Sequence, residues 1–375
     1  MKILQIITSL QVGGAETLVV NLVPRLRAMC DEVDVCVFDG TETPLMRRLR
    51  RENPGVRIWK LGKGYYNPLF IAKLVPIMRR YDIVHTHNSS PQLFVAIASV
   101  LCSVELCSTE HNTSNRKRGW KWYAPVESWM YGRYDHVICI SKVAEEKLRE
   151  YMGGAWRDES SKLYHRISTI DNGVDVAAFH ASEPLPADVT GRQKGDFVVT
   201  MVAGFREAKD QDTLVRAIAM LPSQYKLWLV GDGVRMATVR ALVEELGVEG
   251  RVRFWGLRTD VPRVLKSSDV VCMASHWEGL SLSNIEGMSA GKPFMASDVN
   301  GLREVTKDWG VLFPESDAKA VANELTRLHD DADYYRAVAD RCWQRARQFD
   351  IAKTAKRYQA VYTAMRENDT TLHER

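Results

Sequence analysis

The sequence lacks any apolar run long enough to cross a bilayer and any large excess of one charge. Its longest apolar stretch, 93–104, holds about a dozen residues, whereas a spanning helix needs roughly 20. The run 3–10 contains Gln5 and Thr8 and is not followed by a small-residue cleavage site, so it predicts a first strand and not a signal peptide. A formal net charge of +4 gives no support for a nucleic-acid partner. We therefore expect a cytoplasmic protein.

The seven cysteines lack the spacing of a metal site or a redox pair. They are scattered, and most stand inside apolar runs, at 30, 36, 102, 107, 139, 272 and 342. Free cysteines in apolar surroundings are typical of the core of a protein in a reducing compartment. We interpret them as small buried side chains.

What the sequence does contain is a repeated alternation of short apolar runs and helical-period segments, which is typical of parallel sheets covered by helices. The first series of strand-like runs is 3–8, 33–38, 56–61, 83–87, 105–109, 136–140 and 167–170. The second series is 198–202, 226–230, 252–255, 269–274, 293–296 and 311–314. A length of 375 residues also favours two domains. The predicted fold class is α/β, with two Rossmann-like domains.

The boundary between the two series is marked by a turn signal at 171–175 and by a stretch rich in Pro, Asp and Gly that ends at 195. We predict a first domain at 1–175, a linker at 176–195 and a second domain at 196–348. The segment 349–375 is predicted to be a last helix. Its apolar stripe must be buried against another element, and the stripe consists of Ile351, Ala355, Tyr358, Tyr362 and Met365.

Two glutamates, Glu278 and Glu286, stand where a buried strand turns into a short helix-compatible segment. Small residues at such a turn let a ligand approach the backbone, and the opening helix offers N–H groups and a positive dipole end to an anion. Carboxylates beside that site can accept hydrogen bonds from hydroxyl groups. The turn therefore indicates a phosphorylated, hydroxyl-rich ligand. The alternative is a capping box formed by Ser283 and Glu286, which needs no ligand.

The spacing of these glutamates, continued by the sequence of 287–293 and 296–305, resembles the donor-site signature of glycosyltransferase family 4. The resemblance covers most of the chain. It implies a retaining enzyme of the GT-B architecture, with the donor site in the cleft between the domains and the last helix crossing back to the first domain. It further implies that Glu278 binds sugar hydroxyls as a catalytic residue, that Glu286 binds the ribose, and that the donor contacts Gly279, Leu280 and Ser281.

The family also has an arginine and, five residues later, a lysine that neutralise the donor diphosphate. The lysine matches Lys209, but the arginine position holds Gly204, and Arg206 is displaced from it by two residues. Whether Arg206 replaces the expected arginine is open at this point. The requirement itself is physical, because a leaving nucleoside diphosphate gains charge in the transition state.

In the first half of the chain, Gly13 and Gly14 follow the first strand and open a helix, in a Gly-Gly-Ala-Glu sequence that resembles the family motif facing the cleft. The resemblance makes Gly14 a donor-binding residue. A dinucleotide fingerprint is excluded because its three-glycine spacing is absent. A simple tight turn is the alternative.

Histidines follow two neighbouring predicted strands. His85 and His87 point to one face of the fourth strand, but they lack a third partner for a metal. We interpret His87 and Asn88 as acceptor-binding residues, because ligands gather at the carboxyl ends of parallel strands. His111 resembles the family histidine beside the transferred sugar, and we predict it to be catalytic. A purely structural histidine is the alternative.

Neither a metal nor a cofactor is expected, because cations and helix termini already supply a positive field. The carboxylate pairs Asp210/Asp212 and Asp331/Asp333 match those of metal-dependent glycosyltransferases, but we interpret them as helix caps and surface charge. In 116–129, basic residues alternate with tryptophan, which suits peripheral contact with an anionic membrane on its inner face. A solvated loop is the alternative.

Taken with the resemblance, these features predict a retaining glycosyltransferase that moves a sugar from a nucleotide donor, expected to be a UDP-sugar, to a hydroxyl of a glycan or lipid-linked acceptor. The expected role is cell-surface polysaccharide synthesis. Two alternatives stay open: a GT-B nucleotide-sugar epimerase, and a non-catalytic carbohydrate-binding protein.

Overall fold

A computed structural model of the chain describes residues 1–11, 13–111, 120, 123–278 and 282–373. The chain divides into two compact units, a first unit of Met1–Gly173 with Ile351–Arg375 and a second unit of Val174–Asp350. Each unit contains one parallel sheet, and all thirteen predicted strands are present within two residues of their predicted bounds. The predicted α/β class is confirmed.

The strands of the first unit are β1 (Lys2–Ile7), β2 (Glu32–Asp39), β3 (Ile58–Gly62), β4 (Ile83–His87), β5 (Glu105–Glu110), β6 (His136–Cys139) and β7 (Ile167–Thr169). Its helices are α1 (Gly14–Arg27), α2 (Pro44–Glu52), α3 (Leu69–Met78), α4 (Ser89–Ala98), α5 (Ala124–Gly132), α6 (Lys142–Met152) and, at the end of the chain, α16 (Ile351–His373). The sheet has the order β3-β2-β1-β4-β5-β6-β7.

Alternate residues of β1 face opposite sides of this sheet, Leu4 and Ile6 in one core cluster and Ile3 and Ile7 in the other. The second cluster is covered by α1 and α16, and it buries the predicted stripe of α16. The strand order reverses at β1, since the chain adds β2 and β3 on one side and β4 on the other. Ligands of parallel sheets bind outside the carboxyl ends of strands at such a point.

The strands of the second unit are β8 (Phe197–Val202), β9 (Tyr225–Val230), β10 (Val252–Gly256), β11 (Val270–Met273), β12 (Phe294–Ser297) and β13 (Val311–Phe313). Its helices are α7 (Val176–Ala181), α8 (Ala187–Thr190), α9 (Gln211–Met220), α10 (Met236–Glu245), α11 (Val261–Lys266), α12 (Leu282–Ser289), α13 (Arg303–Thr306), α14 (Ala318–Asp330) and α15 (Ala332–Ala346). The sheet order is β10-β9-β8-β11-β12-β13, so it reverses between β8 and β11.

The segment 176–195, expected to be a linker, differs from the prediction. It contains α7 and α8, and Val176 and Phe179 are buried in the core of the second unit. The apolar side chains of α7 explain this, because a short helix with two buried residues gains more by packing than by remaining a solvated connection. None of the helices in the described part of the chain is both long enough and apolar enough to cross a membrane.

Candidate active site

The second unit brings together the chain segments that follow β8 and β11, at the point where its strand order reverses. The Asp210 N–H donates to the Ala274 carbonyl at 3.1 Å, and the His276 N–H donates to the Ala208 carbonyl at 2.9 Å. Lys209 and Ser275 form an isolated antiparallel bridge between the two segments. This backbone pairing places Lys209 beside the residues that lead to Glu278.

The segment that follows β9 packs against the backbone of 203–206, on the side away from the segment that follows β11. Gly231 and Gly233 have φ values of 139° and 155°, and a Cβ atom on them would lie only 2.1 Å and 2.3 Å from the carbonyl oxygens of Ala203 and Phe205. Only glycine permits this approach. Because the Phe205 N–H also donates to the Asp232 carbonyl at 3.0 Å, the backbone that carries Arg206 is held on both sides.

The side chains of Lys209 and Glu278 form an ion pair, and each is only 15% exposed. The Glu278 carboxylate also accepts a hydrogen bond from the Ser275 hydroxyl at 3.4 Å. Burial and the nearby charge of Arg206 lower the pKa of Lys209 to about 8. The pair is a shielded charged group at the carboxyl ends of two strands.

Arg206 is exposed, and its side chain lies beside Gly204. A Cβ atom on Gly204 would lie 3.5 Å from Arg206 Nε, an ordinary van der Waals distance. The Nε atom of the Arg206 guanidinium group therefore lies next to position 204.

Glu286 lies on α12, and its carboxylate has no hydrogen bond or ion pair with any residue in the described ranges. Burial raises its pKa to about 7. The alternative capping box is wrong, because Ser283 is already the second residue of α12 and no hydrogen bond joins its N–H to Glu286 among the described contacts. Gly279, Leu280 and Ser281 lie outside the described residues.

In the first unit, Asn88 follows β4 with a φ of 72° and a ψ of 155°, a conformation that is rare for any residue but glycine. Its Nδ2 donates to Thr8 Oγ1 at 3.4 Å and to Glu16 Oε1 at 3.5 Å. Burial raises the pKa of Glu16. The exposed Gly14 begins α1 two residues before Glu16, so β1, β4 and α1 bring these groups together. Glu16 was not among the residues predicted from the sequence, although it belongs to the same motif as Gly14.

The histidines of β4 belong to a buried series of hydrogen-bonded side chains, which we call the histidine network. Its members are Gln5, His85, His87, Thr109, His111, Tyr358 and Tyr362, and all except His111 are at most 1% exposed. Within it His85 contacts Tyr362 and Thr109, and the planes of His85 and His87 are stacked with centroids 4.6 Å apart.

The prediction that His87 contacts the acceptor is not met. His87 is fully buried, and its two ring nitrogens already contact His111 at 2.9 Å and Gln5 at 2.7 Å. His111 is half-buried, and burial lowers its pKa to about 4. No group of three His, Cys, Asp or Glu side chains within the described ranges has the arrangement of a metal site.

The two carboxylate pairs serve the roles of helix caps and surface charge. Asp210 and Asp331 are N-caps of α9 and α15, where their side chains accept backbone N–H groups. Asp212 pairs with Arg235, and Asp333 pairs with Arg336. In the basic and aromatic segment, Trp120 and Trp129 are 46% and 44% exposed, whereas 116–119 lies outside the described residues.

Comparison with known proteins identifies the family from both halves of the chain. The profile described as Glycosyltransferase Family 4 matches residues 12–178, and the profile described as Glycosyl transferases group 1 matches residues 187–348. The D-inositol 3-phosphate glycosyltransferase of Salinispora tropica is 30% identical over 336 residues, which cover 81% of this chain and 68% of the relative.

Other similarities extend over most of the chain. The UDP-Gal:alpha-D-GlcNAc-diphosphoundecaprenol alpha-1,3-galactosyltransferase of Escherichia coli is 28% identical over 272 residues, which cover 67% of each protein. Anabaena Alr3699/HepE, solved in complex with UDP, has a TM-score of 0.80 at 22% identity, over 97% of this chain and 100% of that one, and this likeness shows the fold. The chain therefore belongs to glycosyltransferase family 4, and it is a glycosyltransferase that acts on a nucleotide-sugar donor.

Proposed function

We propose that this protein is a retaining glycosyltransferase that moves a sugar from a UDP-sugar to a hydroxyl of a glycan or lipid-linked acceptor in cell-surface polysaccharide synthesis. The observation that carries the proposal is the ion pair of Lys209 and Glu278 where the strand order reverses, together with Glu286 on the following helix. This arrangement supplies a cation for a diphosphate and carboxylates for hydroxyl groups. It requires neither a metal nor another cofactor.

Lys209 and Arg206 are assigned to the donor diphosphate. Their fixed charges stabilise the leaving group more in the transition state than in the ground state, because negative charge develops there. The exposure of Arg206 and its place next to position 204 support its assignment as the substitute for the family arginine. The backbone of Gly279, Leu280 and Ser281 is assigned to the same ligand from the resemblance alone.

The two glutamates are assigned to the sugars of the donor, Glu278 to the transferred sugar and Glu286 to the ribose. The lack of a described partner for Glu286, together with its raised pKa, supports this role. Two ribose hydroxyls that donate to the carboxylate would stabilise its charged form and lower its pKa again.

In the first unit, His111 is assigned to the transferred sugar and Gly14, at the start of α1, to the donor. Asn88 remains the acceptor-side candidate. Its strained backbone and its contact with Glu16 support a functional role, because strained backbone conformations cluster at active sites and ligand-binding segments.

The nature of the ligands is supported by the similar proteins. HepE has been solved with UDP and with UDP-glucose, which supports uracil as the base of the donor nucleotide. The galactosyltransferase of Escherichia coli is named for a diphosphoundecaprenol acceptor, and a similar protein of Rhizobium meliloti is named for lipopolysaccharide core biosynthesis. Exposed Trp120 and Trp129 support a peripheral contact of the first unit with an anionic membrane.

A donor panel tests the proposal. The protein is incubated with UDP-, GDP- and ADP-sugars, with and without a diphosphoundecaprenol-linked sugar, and both nucleotide release and acceptor labelling are followed. We expect acceptor-dependent release of UDP and a product with the anomeric configuration of the donor. Donor consumption without any acceptor would indicate an epimerase or a hydrolase, and binding without turnover would indicate a carbohydrate-binding protein.

A further inference from the structure

The direction of the hydrogen bonds in the histidine network is set by the side-chain amide of Gln5. Its oxygen, which can only accept, lies 2.7 Å from His87 Nε2, and its nitrogen, which can only donate, lies 3.0 Å from Tyr362 Oη. His87 Nε2 must therefore carry a proton. Because burial lowers the pKa of His87 well below its ordinary value, the ring is neutral and its Nδ1 has only a lone pair.

This arrangement determines the protonation of His111. His87 Nδ1 lies 2.9 Å from His111 Nε2, and since Nδ1 can only accept, His111 Nε2 must donate. The pKa of His111 is about 4, so its ring is also neutral near pH 7. His111 Nδ1 therefore has a lone pair, and no hydrogen bond joins it to the described part of the chain.

Tyr362 of α16 fixes the other end of the amide. Its hydroxyl accepts the Gln5 N–H, so its own proton points to His85 Nδ1 at 2.6 Å. His85 Nε2 then donates to Thr109 Oγ1 at 2.7 Å, and Tyr358 Oη lies 3.2 Å beyond it. Rotating the side-chain amide of Gln5 by 180° would reverse the direction of each of these hydrogen bonds, and His111 would then carry its proton on Nδ1.

We propose that Gln5, His87 and Tyr362 are positioning residues that hold His111 as the Nε2–H tautomer, so that His111 Nδ1 accepts a hydrogen bond from a hydroxyl of the donor sugar. The inference rests on the proposed function for the place of His111 beside that sugar. Its chemistry is specific, because a neutral imidazole with a fixed lone pair can recognise a hydroxyl donor but cannot act as a cation. The last helix of the chain thereby sets the hydrogen-bonding character of a residue after β5.

The tautomer is measured by ¹⁵N NMR of the full chain labelled at histidine, at pH 7, with His111→Gln for assignment. We expect a protonated Nε2 and an unprotonated Nδ1 for His111. Gln5→Met and Tyr362→Phe remove the groups that fix the direction, and we expect both to give a mixture of the two tautomers. Tyr358→Phe is the matched control, because it removes the same hydroxyl from a fully buried tyrosine of α16 at the far end of the network. It should keep the wild-type tautomer.

Kinetics give a second readout on the same variants. Loss of one oriented hydrogen bond to the sugar should lower kcat/KM for the donor about tenfold in Gln5→Met and Tyr362→Phe. The Kd of UDP, which has no transferred sugar, should stay at the wild-type value. A packing defect would instead lower thermal stability and UDP binding together, and the two tyrosine variants should lose similar amounts of thermal stability.

A protonated Nδ1 on His111 of the wild-type protein would overturn the inference, as would an unchanged tautomer in Gln5→Met. The NMR spectrum is taken without substrate, so this result does not depend on the proposed function. Titration with the UDP-sugar chosen by the donor panel tests that function separately. If the tautomer is as expected but the ¹⁵Nδ1 resonance does not move on saturation with donor, His111 has the predicted form and its assignment to the sugar is wrong.

Discussion

The two units place polar side chains at corresponding positions, the carboxyl ends of the strands beside the change in strand order, but they differ in how those side chains are satisfied. In the first unit, burial keeps His85 and His87 neutral, and both nitrogens of each ring have a hydrogen-bond partner within the unit. In the second unit, Lys209 and Glu278 form an ion pair, and Glu286 has no partner among the described residues. The side chains of His85 and His87 thus have all their hydrogen bonds within the first unit, whereas the carboxylate of Glu286 has none among the described residues of the second unit.

The largest effect should come from removing the charge of the second unit. We expect Lys209→Met to lower kcat on the order of 100-fold, because a preorganised cation stabilises the charge that develops on the leaving diphosphate. The matched control is Lys226→Met. Lys226 lies on β9, is also partly buried, and pairs with Asp196 at 3.8 Å. Steady-state kinetics with saturating donor measure both. An equal loss in the two variants would mean that Lys209 acts through stability alone.

The comparison also predicts opposite pH dependences of stability. Folding lowers the pKa of His85 and His87 below 6.5, so the unfolded chain binds more protons and the first unit should lose stability below that pH, by up to ~1.4 kcal/mol per pH unit for each histidine. Folding raises the pKa of Glu286 from 4.5 to about 7, so its contribution is present below pH 4.5 and is lost as the pH rises through about 7, up to ~3 kcal/mol in total.

Hydrogen exchange, corrected for the intrinsic pH dependence of amide rates, measures the two units separately. We expect the amides of β4 to lose protection from pH 7 to pH 5 and the amides of β12 to gain it. Glu286→Gln is the control, because it should abolish the trend in the second unit and leave the first unchanged. A common trend in both units would contradict opposite pH dependences of their stability.

A smaller effect is expected from the surface of the first unit. If 116–129 rests on an anionic membrane, each cation contributes on the order of 1 kcal/mol. Changing Arg116, Lys117 and Arg118 to serine should then abolish co-sedimentation with anionic vesicles at low salt. The control changes Arg47, Arg50 and Arg51 of α2, which are exposed on the same unit. Equal, negligible pelleting of all three proteins would favour a solvated loop and a soluble acceptor.

No loss of activity is expected when metals are removed. Lys209 and Arg206 are proposed to supply the positive charge that a divalent ion supplies in metal-dependent enzymes, so turnover should persist in excess EDTA. Initial rates with and without the chelator test this prediction. Complete loss of turnover, restored by magnesium or manganese, would rule out the mechanism proposed for the second unit.

The fold was predictable because its signal is local and repeated. Every strand is a short apolar run between helical-period segments, and thirteen such runs leave little freedom in the fold class. Strand ends were predictable too, which is why Glu278 could be placed directly after a buried strand. Lys209 was identified only by the resemblance to the family, and its pairing with Glu278 is a finding of the structure. The structure of 176–195 was not predictable, because polar residues, proline and glycine make up most of this segment. Only Val176 and Phe179 of α7 are buried in the core of the second unit, and two apolar residues are too few to predict a packed helix.

The histidine network was beyond sequence reasoning for a physical reason. Gln5 and Tyr362 are 357 residues apart in the chain, so nothing local connects them. Gln5 within an apolar strand was the one available signal, since a buried amide needs hydrogen-bond partners. Because the partners of His87 are also distant in the sequence, His87 was assigned to the acceptor. Its position at a strand end indicated a ligand, but the tertiary contacts of both ring nitrogens decide otherwise.

The central claim is that the second unit holds a charged site whose carboxylate at Glu286 gains its partners from the donor ribose. Isothermal titration of the preferred UDP-sugar at pH 6.5, in buffers of different ionisation enthalpy, counts the protons released on binding. With a pKa of about 7 in the free protein, the wild type should release about 0.7 proton. Glu286→Gln should release almost none and bind about 10- to 100-fold more weakly. Equal proton release and equal affinity in the two proteins would contradict the claim.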